Sequence, residues 1–515
     1  MMKTISSRTI SNVIAILVFV YFLAWLLFLG FEGDSELDAP AEKLTSAIQF
    51  VDCSYHFNDE SIKYSGRIEC AQFTTDADTG EFSLPVTIIK ARKSSRREAV
   101  IFVPGGPGQG NITAGYNVEY WYQFLEMADF PFDFILYEPR GTEKASPHWS
   151  CPEFDKISRD SLAYDFSVLD DTVQAHPVVV SCLNRYHDFL RDNITQTGPT
   201  KGLEVLSSFN QVNDLETILD GLDYDAGHIW GESYGTRVAL LSRSEKIKSL
   251  ILDSPYPLES GILTDWVTDI NRRFDIHRNV YANDYASRRF RSFDELWRTV
   301  LQAITNDPPT FQVEAQHVVV NRNRLTALAF YVLYMENLRF PFYESLEYLA
   351  LGQDSGLEIA EDSLNLLLNE FLDSAFSTGF NHMTYYAVEC QDNTLTSKEV
   401  YDKAVAGSAQ YSYLLEGTWD YNICASELFA NTRKVNENKP LKKPALILVG
   451  EHDPVTPAAW AKELKAYYGE LATLYVATGL GHGVSANSDC LPSLYTDFVL
   501  GKHIDPLMYC ELENH

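Results

Sequence analysis

Short apolar runs alternate with amphipathic stretches over residues 45–257 of the chain. The runs that are typical of buried strands read FSLPVTIIKA, EAVIFVPGG, FDFILYEPRG, GHIWGES and IKSLILDSP. Helical periodicity fills several of the intervals between them, for example over residues 203–222 and 236–242. Strands that alternate with helices in this way predict a mostly parallel sheet with both faces covered.

The pattern changes after residue 257 and changes back near residue 436. In between, the chain has the periodicity of amphipathic helices and many aromatic residues. Three stretches show this most clearly: 284–304, 324–337 and 358–376. Two further strand-like runs follow, KPALILVGEHDP and ATLYVATGLGHG. We therefore predict an α/β-hydrolase core in two parts, 45–257 and 436–515, which is interrupted by a mainly helical cap at 258–435.

The N-terminal segment is unlike the rest of the chain. Residues 13–31 read VIAILVFVYFLAWLLFLGF, an uncharged run that is long enough to span a bilayer. Lys3 and Arg8 precede this run and acidic residues follow it, which predicts that residues 1–12 are cytoplasmic and that 32–44 form a linker outside. We interpret the run as a signal anchor, with a cleaved signal peptide as the alternative.

Eight cysteines fit an extracytoplasmic location. Their number is even and no C-x-x-C pair occurs, which argues against zinc and redox motifs. They fall into four neighbouring couples, and sequential pairing is the simplest hypothesis: Cys53 with Cys70, Cys151 with Cys182, Cys390 with Cys424, and Cys490 with Cys510. Because disulfides persist in oxidising compartments, these cysteines predict a periplasmic or cell-surface body.

Composition and charge narrow the classes of partner. The 515 residues include 41 basic and 71 acidic side chains, which gives a formal net charge of −30, and 45% of the residues are hydrophobic. This content predicts folded domains. The negative charge argues against nucleic acid and against a surface that binds anionic lipid. The expected membrane contact is therefore the N-terminal helix alone, and no motif predicts a metal or a cofactor.

Three predicted strand ends carry the residue types of acyl transfer. Ser233 lies in the G-x-S-x-G of residues 231–235, between a predicted strand and a predicted helix, as a nucleophile elbow requires. Asp453 and His482 each follow a later apolar run. Serine, acid and histidine in this order match an α/β-hydrolase triad. Ser233 is then the predicted nucleophile, His482 the general base, and Asp453 the acid that orients it.

A glycine-rich loop, PGGPGQG at 104–110, follows another predicted strand. Acyl transfer needs backbone N–H donors aimed at the developing oxyanion, each worth about 3–4 kcal/mol. Gly106 and Tyr234 are the predicted donors of this oxyanion hole. The alternative of a phosphate-binding loop fails because no Gly-Lys-Ser/Thr follows and the spacing is not G-x-G-x-x-G.

Five segments resemble the α/β-hydrolase peptidases that include prolyl aminopeptidase and the secreted bacterial tripeptidyl aminopeptidases. These segments are PGGPGQG, YEPRGTEKASP, GESYGTR, GEHDPVTP and GLGHG. The resemblance covers about residues 45–257 and 435–510. It implies release of N-terminal residues or short peptides through an acyl-enzyme, beneath a helical cap, with short peptides as substrates and no cofactor.

Two glutamates depart from the usual pattern of that family. Glu138 occupies the acidic place of an Asp-x-Arg-Gly motif, and Glu232 precedes the nucleophile where glycine is common. An aminopeptidase also needs an anion for the α-ammonium group of its substrate. Glu389 and Asp392, in the most recognisable segment of the cap, are the hypothetical partners of that group.

Three other functions remain open at this point. Serine carboxypeptidases also carry a GGPG loop and a Gly-Glu-Ser-Tyr elbow whose glutamate helps bind a substrate carboxylate, and Glu232 fits that role. The PRGT segment at 139–142 and the missing Asn before GGPG argue against this function. A broad-specificity carboxylesterase needs only the same triad. An inactive binding module is disfavoured because all three triad residues are present.

Overall fold

The computed structural model describes residues 48–510 except for short gaps. The gaps are 55–56, 58, 60–61, 63–64, 93–96, 112–114, 200, 314, 353–357, 395–396, 409–410, 416, 431 and 489–490. The predicted cytoplasmic segment 1–12, signal anchor 13–31 and linker 32–44 lie outside the described residues. Among the helices that are described, none is both long and apolar enough to cross a bilayer.

A mostly parallel sheet lies at the centre of the described chain. The strands, in chain order, are β1 (Ile48–Val51), β2 (Ile68–Thr74), β3 (Ser83–Ile89), β4 (Glu98–Val103), β5 (Asp133–Tyr137), β6 (Ala226–Glu232), β7 (Ile247–Asp253), β8 (Thr310–Val313), β9 (Gln316–Val319), β10 (Ala445–Gly450) and β11 (Ala472–Ala477). Nine of these strands pair in the order β1-β2-β3-β5-β4-β6-β7-β10-β11, and β8 and β9 form a separate hairpin. The pairs from β1 to β5 are antiparallel, and those from β5 through β4 to β11 are parallel.

Helices cover the sheet and build a large insertion. In chain order they are α1 (Gly115–Met127), α2 (Pro152–Asp160), α3 (Val168–Asn193), α4 (Ser208–Gly221), α5 (Tyr234–Leu241), α6 (Ile262–Asn283), α7 (Phe293–Ile304), α8 (Arg322–Tyr331), α9 (Arg339–Leu351), α10 (Glu358–Ala375), α11 (His382–Asp392), α12 (Lys398–Gly407), α13 (Ala458–Tyr468), α14 (Pro492–Val499) and α15 (Leu507–Cys510). Helices α6 to α12 lie between β7 and β10. The predicted fold class, a mostly parallel sheet with a helical insertion, is therefore confirmed.

Alternate residues of β4 face two separate cores. Ala99, Ile101 and Val103 belong to a core that is shared with the helical insertion. Val100 and Phe102 point to the opposite face, where they pack in a core with α1 and α14. Since successive side chains of a strand point to opposite faces, a continuous apolar run is what a strand covered on both sides requires. The insertion is thus part of one continuous core and lies over the carboxyl ends of the parallel strands.

Two helices of the insertion differ from the sequence-based prediction. The pattern over 284–304 is helical only from Phe293, because Ser292 caps the start of α7 with its side chain. The pattern over 324–337 ends as an α-helix at Tyr331. Apolar periodicity continues through both breaks, so periodicity alone does not show where these helices begin and end.

Three of the four predicted disulfides are present in the described residues. They join Cys53 to Cys70, Cys151 to Cys182, and Cys390 to Cys424, over sequence separations of 17, 31 and 34. Sequential pairing is confirmed for these three, and each is worth about 3 kcal/mol in the chain-entropy account. The fourth predicted pair, Cys490 with Cys510, includes a residue outside the described chain. The three disulfides indicate an extracytoplasmic protein.

Candidate active site

Ser233 lies at a sharp turn between β6 and α5. Its φ is +52° and its ψ is −119°, a conformation that L-residues rarely adopt. A Cβ atom on Gly231 would lie 2.5 Å from the backbone oxygen of Gly235, and one on Gly235 would lie 2.0 Å from the backbone oxygen of Val103. The two glycines of the motif are therefore required by close backbone packing, which holds the serine at the end of the strand.

Asp453 and His482 are hydrogen-bonded to each other. Asp453 Oδ2 lies 2.8 Å from His482 Nδ1. Asp453 is fully buried, and its Oδ1 accepts the backbone N–H groups of Val455 and Thr456 at 2.8 Å each. Burial opposes ionisation, but the imidazole and these hydrogen bonds outweigh it and lower the pKa of Asp453 below its ordinary value. The carboxylate therefore stays charged and fixed toward the imidazole.

Asp453 and two further carboxylates determine the protonation of His482. Burial lowers the pKa of His482, but the carboxylates of Asp453, Glu232 and Asp253 outweigh burial, so the net shift is upward. The Asp453 carboxylate accepts a hydrogen bond from His482 Nδ1, so the neutral imidazole carries its proton on Nδ1. Nε2 is then the nitrogen that is able to accept a proton.

Two residues at the end of β7 hold the loop that carries the histidine, and sequence reasoning missed both. Asp253 accepts the backbone N–H groups of Val484 and Ser485, at 2.9 and 2.6 Å. The hydroxyl of Ser254 accepts the N–H of Gly483 at 2.9 Å. These bonds fix the backbone immediately after His482.

A signal for Asp253 was present in the sequence. Like Asp453, Asp253 directly follows an apolar strand, and the chain order Ser233, Asp253, His482 would fit a triad equally well. The two carboxylates are distinguished by the hydrogen bond to His482 Nδ1, which Asp453 makes. Sequence order alone therefore did not exclude Asp253 as the acid.

Ser233 and His482 line one cavity of about 490 Å³. The core contributes the floor of this cavity, and helices α8, α10 and α11 of the insertion contribute Tyr331, Ala375 and His382. Cavities of this volume are typical of sites that bind small molecules. The cavity lies at the carboxyl ends of the parallel strands, where ligand chemistry in such sheets is found.

Both predicted oxyanion-hole residues lie beside the nucleophile. Gly106 lines the cavity with a φ of +105°, and a Cβ atom there would lie 2.8 Å from the backbone nitrogen of Gln109. Tyr234 is the first residue of α5, so its N–H has no partner within the helix. Within the described residues, neither of these two N–H groups donates to another protein atom. Both are therefore available to an anion.

Glu232 also lines the cavity, next to Ser233. Its carboxyl group is partly buried and close to two charged groups. Burial and the Asp253 carboxylate raise the pKa of Glu232 to about 7, although His482 opposes the shift. Near neutral pH this side chain therefore exists in both the protonated and the ionised form.

Glu389 and Asp392 do not line this cavity. The structure places both on the face of α11 that packs against Arg237 of α5, and all three side chains are buried. Asp392 Oδ2 lies 3.7 Å from the guanidinium, and Glu389 Oε2 accepts the hydroxyl of Tyr256 at 2.9 Å. A buried guanidinium requires nearby anions, which accounts for this placement. The structure therefore does not bring the two predicted ammonium ligands to the nucleophile.

Comparison with known proteins agrees with this architecture. Residues 98–485 match the alpha/beta hydrolase fold, so the chain belongs to the alpha/beta hydrolase family. The matched segment runs from β4 to the loop after His482 and contains the whole candidate site. No curated protein matches the chain in sequence.

Several solved structures are similar to the chain in fold. A proline iminopeptidase from Mycobacterium smegmatis is 11% identical, over 84% of this chain and 98% of that chain, with a TM-score of 0.37. A serine hydrolase from Cycloclasticus zankles is 13% identical, over 85% and 100%, with a TM-score of 0.35. A bromoperoxidase from Bacillus anthracis is 12% identical, over 83% and 98%, with a TM-score of 0.34. These similarities carry no argument about activity.

Proposed function

We propose that this hydrolase is a serine aminopeptidase that cleaves N-terminal peptide bonds through an acyl-enzyme on Ser233. The observation that carries the proposal is the 2.8 Å contact of Asp453 with His482, the histidine that lines the same cavity as Ser233. The five segments that resemble aminopeptidases of this fold support the choice of a peptidase.

In the proposed reaction, the hydroxyl oxygen of Ser233 attacks the carbonyl carbon of the scissile peptide bond. His482 Nε2 takes the hydroxyl proton and then gives it to the leaving amine. Asp453 keeps the imidazole in the required tautomer and stabilises its charged form. A water molecule, activated by the same nitrogen, then hydrolyses the acyl-enzyme.

The negative charge that develops on the carbonyl oxygen needs donors that are already in place. The N–H groups of Gly106 and Tyr234 would supply them. The glycine loop is fixed to the insertion by two backbone hydrogen bonds, from Gly110 to Gly379 at 2.7 Å and from Asn381 to Gly108 at 2.9 Å. Such preorganisation avoids a reorganisation cost during the reaction.

The first experiment profiles a defined peptide mixture by mass spectrometry. The wild-type protein is expected to remove residues from free N-termini and to leave N-acetylated peptides intact, and an organophosphonate should label Ser233. The Ser233→Ala variant is the control. Hydrolysis of simple esters without any peptide cleavage would support a carboxylesterase instead, and a wild-type protein that the probe fails to label would support an inactive binding module.

The acid side of the pH–rate profile provides a second test. Because the neutral imidazole is the base, kcat/KM is expected to fall as the pH drops through the pKa of His482, which lies above the ordinary value of about 6.5. Glu232→Gln removes one of the anions that raise this pKa, so the acid limb of the profile should move to lower pH. If the limb keeps its position in the variant, Glu232 does not act on His482.

One observation favours a carboxypeptidase as the second candidate. Glu232 lines the cavity with a pKa of about 7, so its protonated form would be able to donate a hydrogen bond to a substrate carboxylate. A carboxypeptidase would cleave an N-acetylated peptide that has a free C-terminus, with a rate that is maximal near pH 4–5. The aminopeptidase would cleave only the peptide with a free N-terminus.

We also propose that the catalytic body is held at the outer face of a membrane by the helix predicted at 13–31, or is secreted after cleavage there. The three disulfides support an oxidising space. We likewise propose that the chain divides into a core, at 45–257 and 436–515, and a cap at 258–435. The net charge of −30 supports short peptides, and not nucleic acid, as partners.

A further inference from the structure

The side chain of Tyr234 ends in a buried chain of hydrogen bonds. Its backbone N–H, at the start of α5, is one of the two proposed oxyanion donors, whereas its ring runs into the interior and is buried. There the phenol hydroxyl is hydrogen-bonded to the hydroxyl of Ser208, the first residue of α4. Ser208 in turn donates to Asp392 Oδ2 at 2.6 Å. The chain therefore connects the residue after the nucleophile to the last residue of the cap helix α11.

The direction of this chain follows from the protons that are available. Burial and the nearby Asp392 carboxylate raise the pKa of Tyr234 well above its ordinary value, so the phenol keeps its proton. A serine hydroxyl has a single proton, and Ser208 uses it toward Asp392, so Tyr234 is the donor to Ser208. Both hydroxyl groups are satisfied in this way, and satisfied buried networks rigidify the groups that they join.

Asp392 is a fixed end point for the chain. It is buried, and its Oδ2 atom lies 3.7 Å from the guanidinium of Arg237 on α5. Burial raises the pKa of Asp392, and Arg237 and the Ser208 hydroxyl oppose that rise because both favour the ionised form. Arg237 itself donates to the side-chain oxygen of Asn393 and to the backbone oxygen of Pro257, at 3.0 Å each. Groups from both the core and the cap thus place the anion that accepts from Ser208.

The position of the Tyr234 N–H follows from the position of the first turn of α5, because free N–H groups at a helix start point out toward a ligand. The turn before it is strained, with Ser233 at a φ of +52° and a ψ of −119°, and such a conformation persists when its surroundings determine it. On one side, the N–H of Ser233 donates to the backbone oxygen of Asp253 at 2.9 Å. On the other side, the side chain of Tyr234 is tied to Ser208. The hydroxyl chain therefore helps to fix where this N–H meets a substrate.

The same cap helix reaches the second proposed donor from its other end. Asn381, which caps the start of α11, donates its backbone N–H to the backbone oxygen of Gly108 at 2.9 Å. A Cβ atom on Gly108 would lie 2.6 Å from the backbone oxygen of Asn381, so the glycine loop packs closely against this helix start. Helix α11 thus contacts the loop of Gly106 at one end and the chain to Tyr234 at the other. It holds the two donors relative to each other.

We propose that Ser208 is a positioning residue of the oxyanion hole, which is anchored on Asp392 and holds the N–H of Tyr234 in place through the Tyr234 hydroxyl. The inference rests on the acyl-enzyme chemistry proposed for Ser233. It gives Asp392 a role that differs from the predicted contact with an α-ammonium group. Ser208 is buried and lies outside the cavity lining, so it acts on the charged transition state through Tyr234 and not on binding of the substrate.

The test replaces the carbonyl oxygen of a substrate by sulfur. Rates are measured for para-nitrophenyl acetate and for its thionoester analogue, per phosphonate-labelled site, with the Ser233→Ala protein as the background. Tyr234→Phe removes the hydroxyl but keeps the ring and the N–H, and it should lower kcat/KM for the ester about 5- to 20-fold, because the donor is displaced by part of an ångström. The thionoester should lose less than about twofold, because sulfur accepts hydrogen bonds weakly and gains little from the donors.

Ser208→Ala breaks the same hydrogen bond from the other side and should have the same effect on the two substrates. Combining it with Tyr234→Phe should lower the ester rate no further than the single changes do, since both remove one interaction. Tyr234→Phe also covers the case of a Ser208→Ala protein that does not fold.

The matched control is Tyr256→Phe. Its hydroxyl is equally buried and donates to Glu389 Oε2 on the same helix, α11, at 2.9 Å, but it lies outside the chain from Tyr234 to Asp392. The loss of this hydrogen bond should lower the resistance to denaturant and change either rate by less than about twofold.

The outcomes separate this inference from the proposed function. Equal losses on the ester and the thionoester in Tyr234→Phe, or no loss on either, would overturn the positioning role, even if the wild-type protein releases N-terminal residues from peptides. A selective loss on the ester, in a protein that is labelled at Ser233 and yet releases no N-terminal residue, would overturn the aminopeptidase function and leave the positioning role in place.

Discussion

Replacement of Asp453 by Asn is expected to lower kcat by about 10⁴-fold, the loss seen when the orienting acid of a serine triad becomes an amide. Val455 and Thr456 donate backbone N–H groups to Oδ1, so the amide oxygen of the variant would occupy that position. The amide nitrogen would then face His482 and donate to Nδ1. The imidazole proton would move to Nε2, which is the atom that must accept the proton of Ser233.

The matched control for this prediction is Asp253→Asn. Asp253 is equally buried at the end of a neighbouring parallel strand, but it accepts from the backbone of Val484 and Ser485 and not from the imidazole. Its replacement should displace the histidine loop and lower kcat by at most about 10²-fold. Both effects are measured as single-turnover rates on the same peptide. An Asp253 variant as slow as the Asp453 variant would assign the acid to Asp253.

The central sheet was predictable from sequence for a clear physical reason. Strands β4, β5, β6, β7 and β10 are covered on both faces, so they appear as continuous apolar runs. The strands at the first edge have a weaker signal. All but the first residue of β1 are exposed, and β2 mixes buried with exposed positions, so neither run is continuously apolar. Those two strands are defined by their antiparallel pairing, which local pattern does not reveal.

The triad residues of the candidate site were predictable from a motif and from their order at strand ends, and the motif is visible because backbone geometry dictates its glycines. Gly231 and Gly235 flank Ser233 because no side chain fits, and this constraint is visible as a motif. No such motif shows which face of a helix lines the cavity. Glu389 lies in the segment that resembles the family, but the helix turns it toward Arg237, a residue far away in the sequence.

The pKa values of the site residues were not predictable from sequence either, because they depend on which groups the fold brings together. The pKa of Glu232 depends on burial and on Asp253, and these two residues become neighbours only because β6 and β7 pair in parallel, with Glu232 opposite Asp253. The sequence identified Glu232 as unusual by its position before the nucleophile. It gave no indication that this carboxyl group would titrate near neutral pH.

The second large effect is expected from Gly235→Ala. A Cβ atom at this position would lie 2.0 Å from the backbone oxygen of Val103 and 2.8 Å from that of Pro104. Neither is the end of a flexible side chain, so the end of β4 or the start of α5 must move. The expected cost is about 3 kcal/mol or more in the free energy of unfolding, at the upper end for overpacking.

The same displacement should also lower the reaction rate. Pro104 begins the glycine loop that carries Gly106, and α5 begins with Tyr234, so a shift of either element separates the two proposed oxyanion donors. Misplacement by about 1 Å costs on the order of 10²-fold in rate, so the folded fraction of this variant should be slow as well as unstable. Chemical denaturation measures the first effect, and the rate per phosphonate-labelled site measures the second.

Gly407→Ala is the matched control for this change. Gly407 ends α12, and a Cβ atom there would meet nothing within 4 Å. The same added methyl group should therefore change the free energy of unfolding by less than about 1 kcal/mol, with a bias toward stabilisation because alanine favours the helix. A Gly235→Ala protein as stable and as active as this control would contradict the prediction. The backbones of β4 and α5 would then have room for a methyl group, and the oxyanion hole would not depend on their close contact.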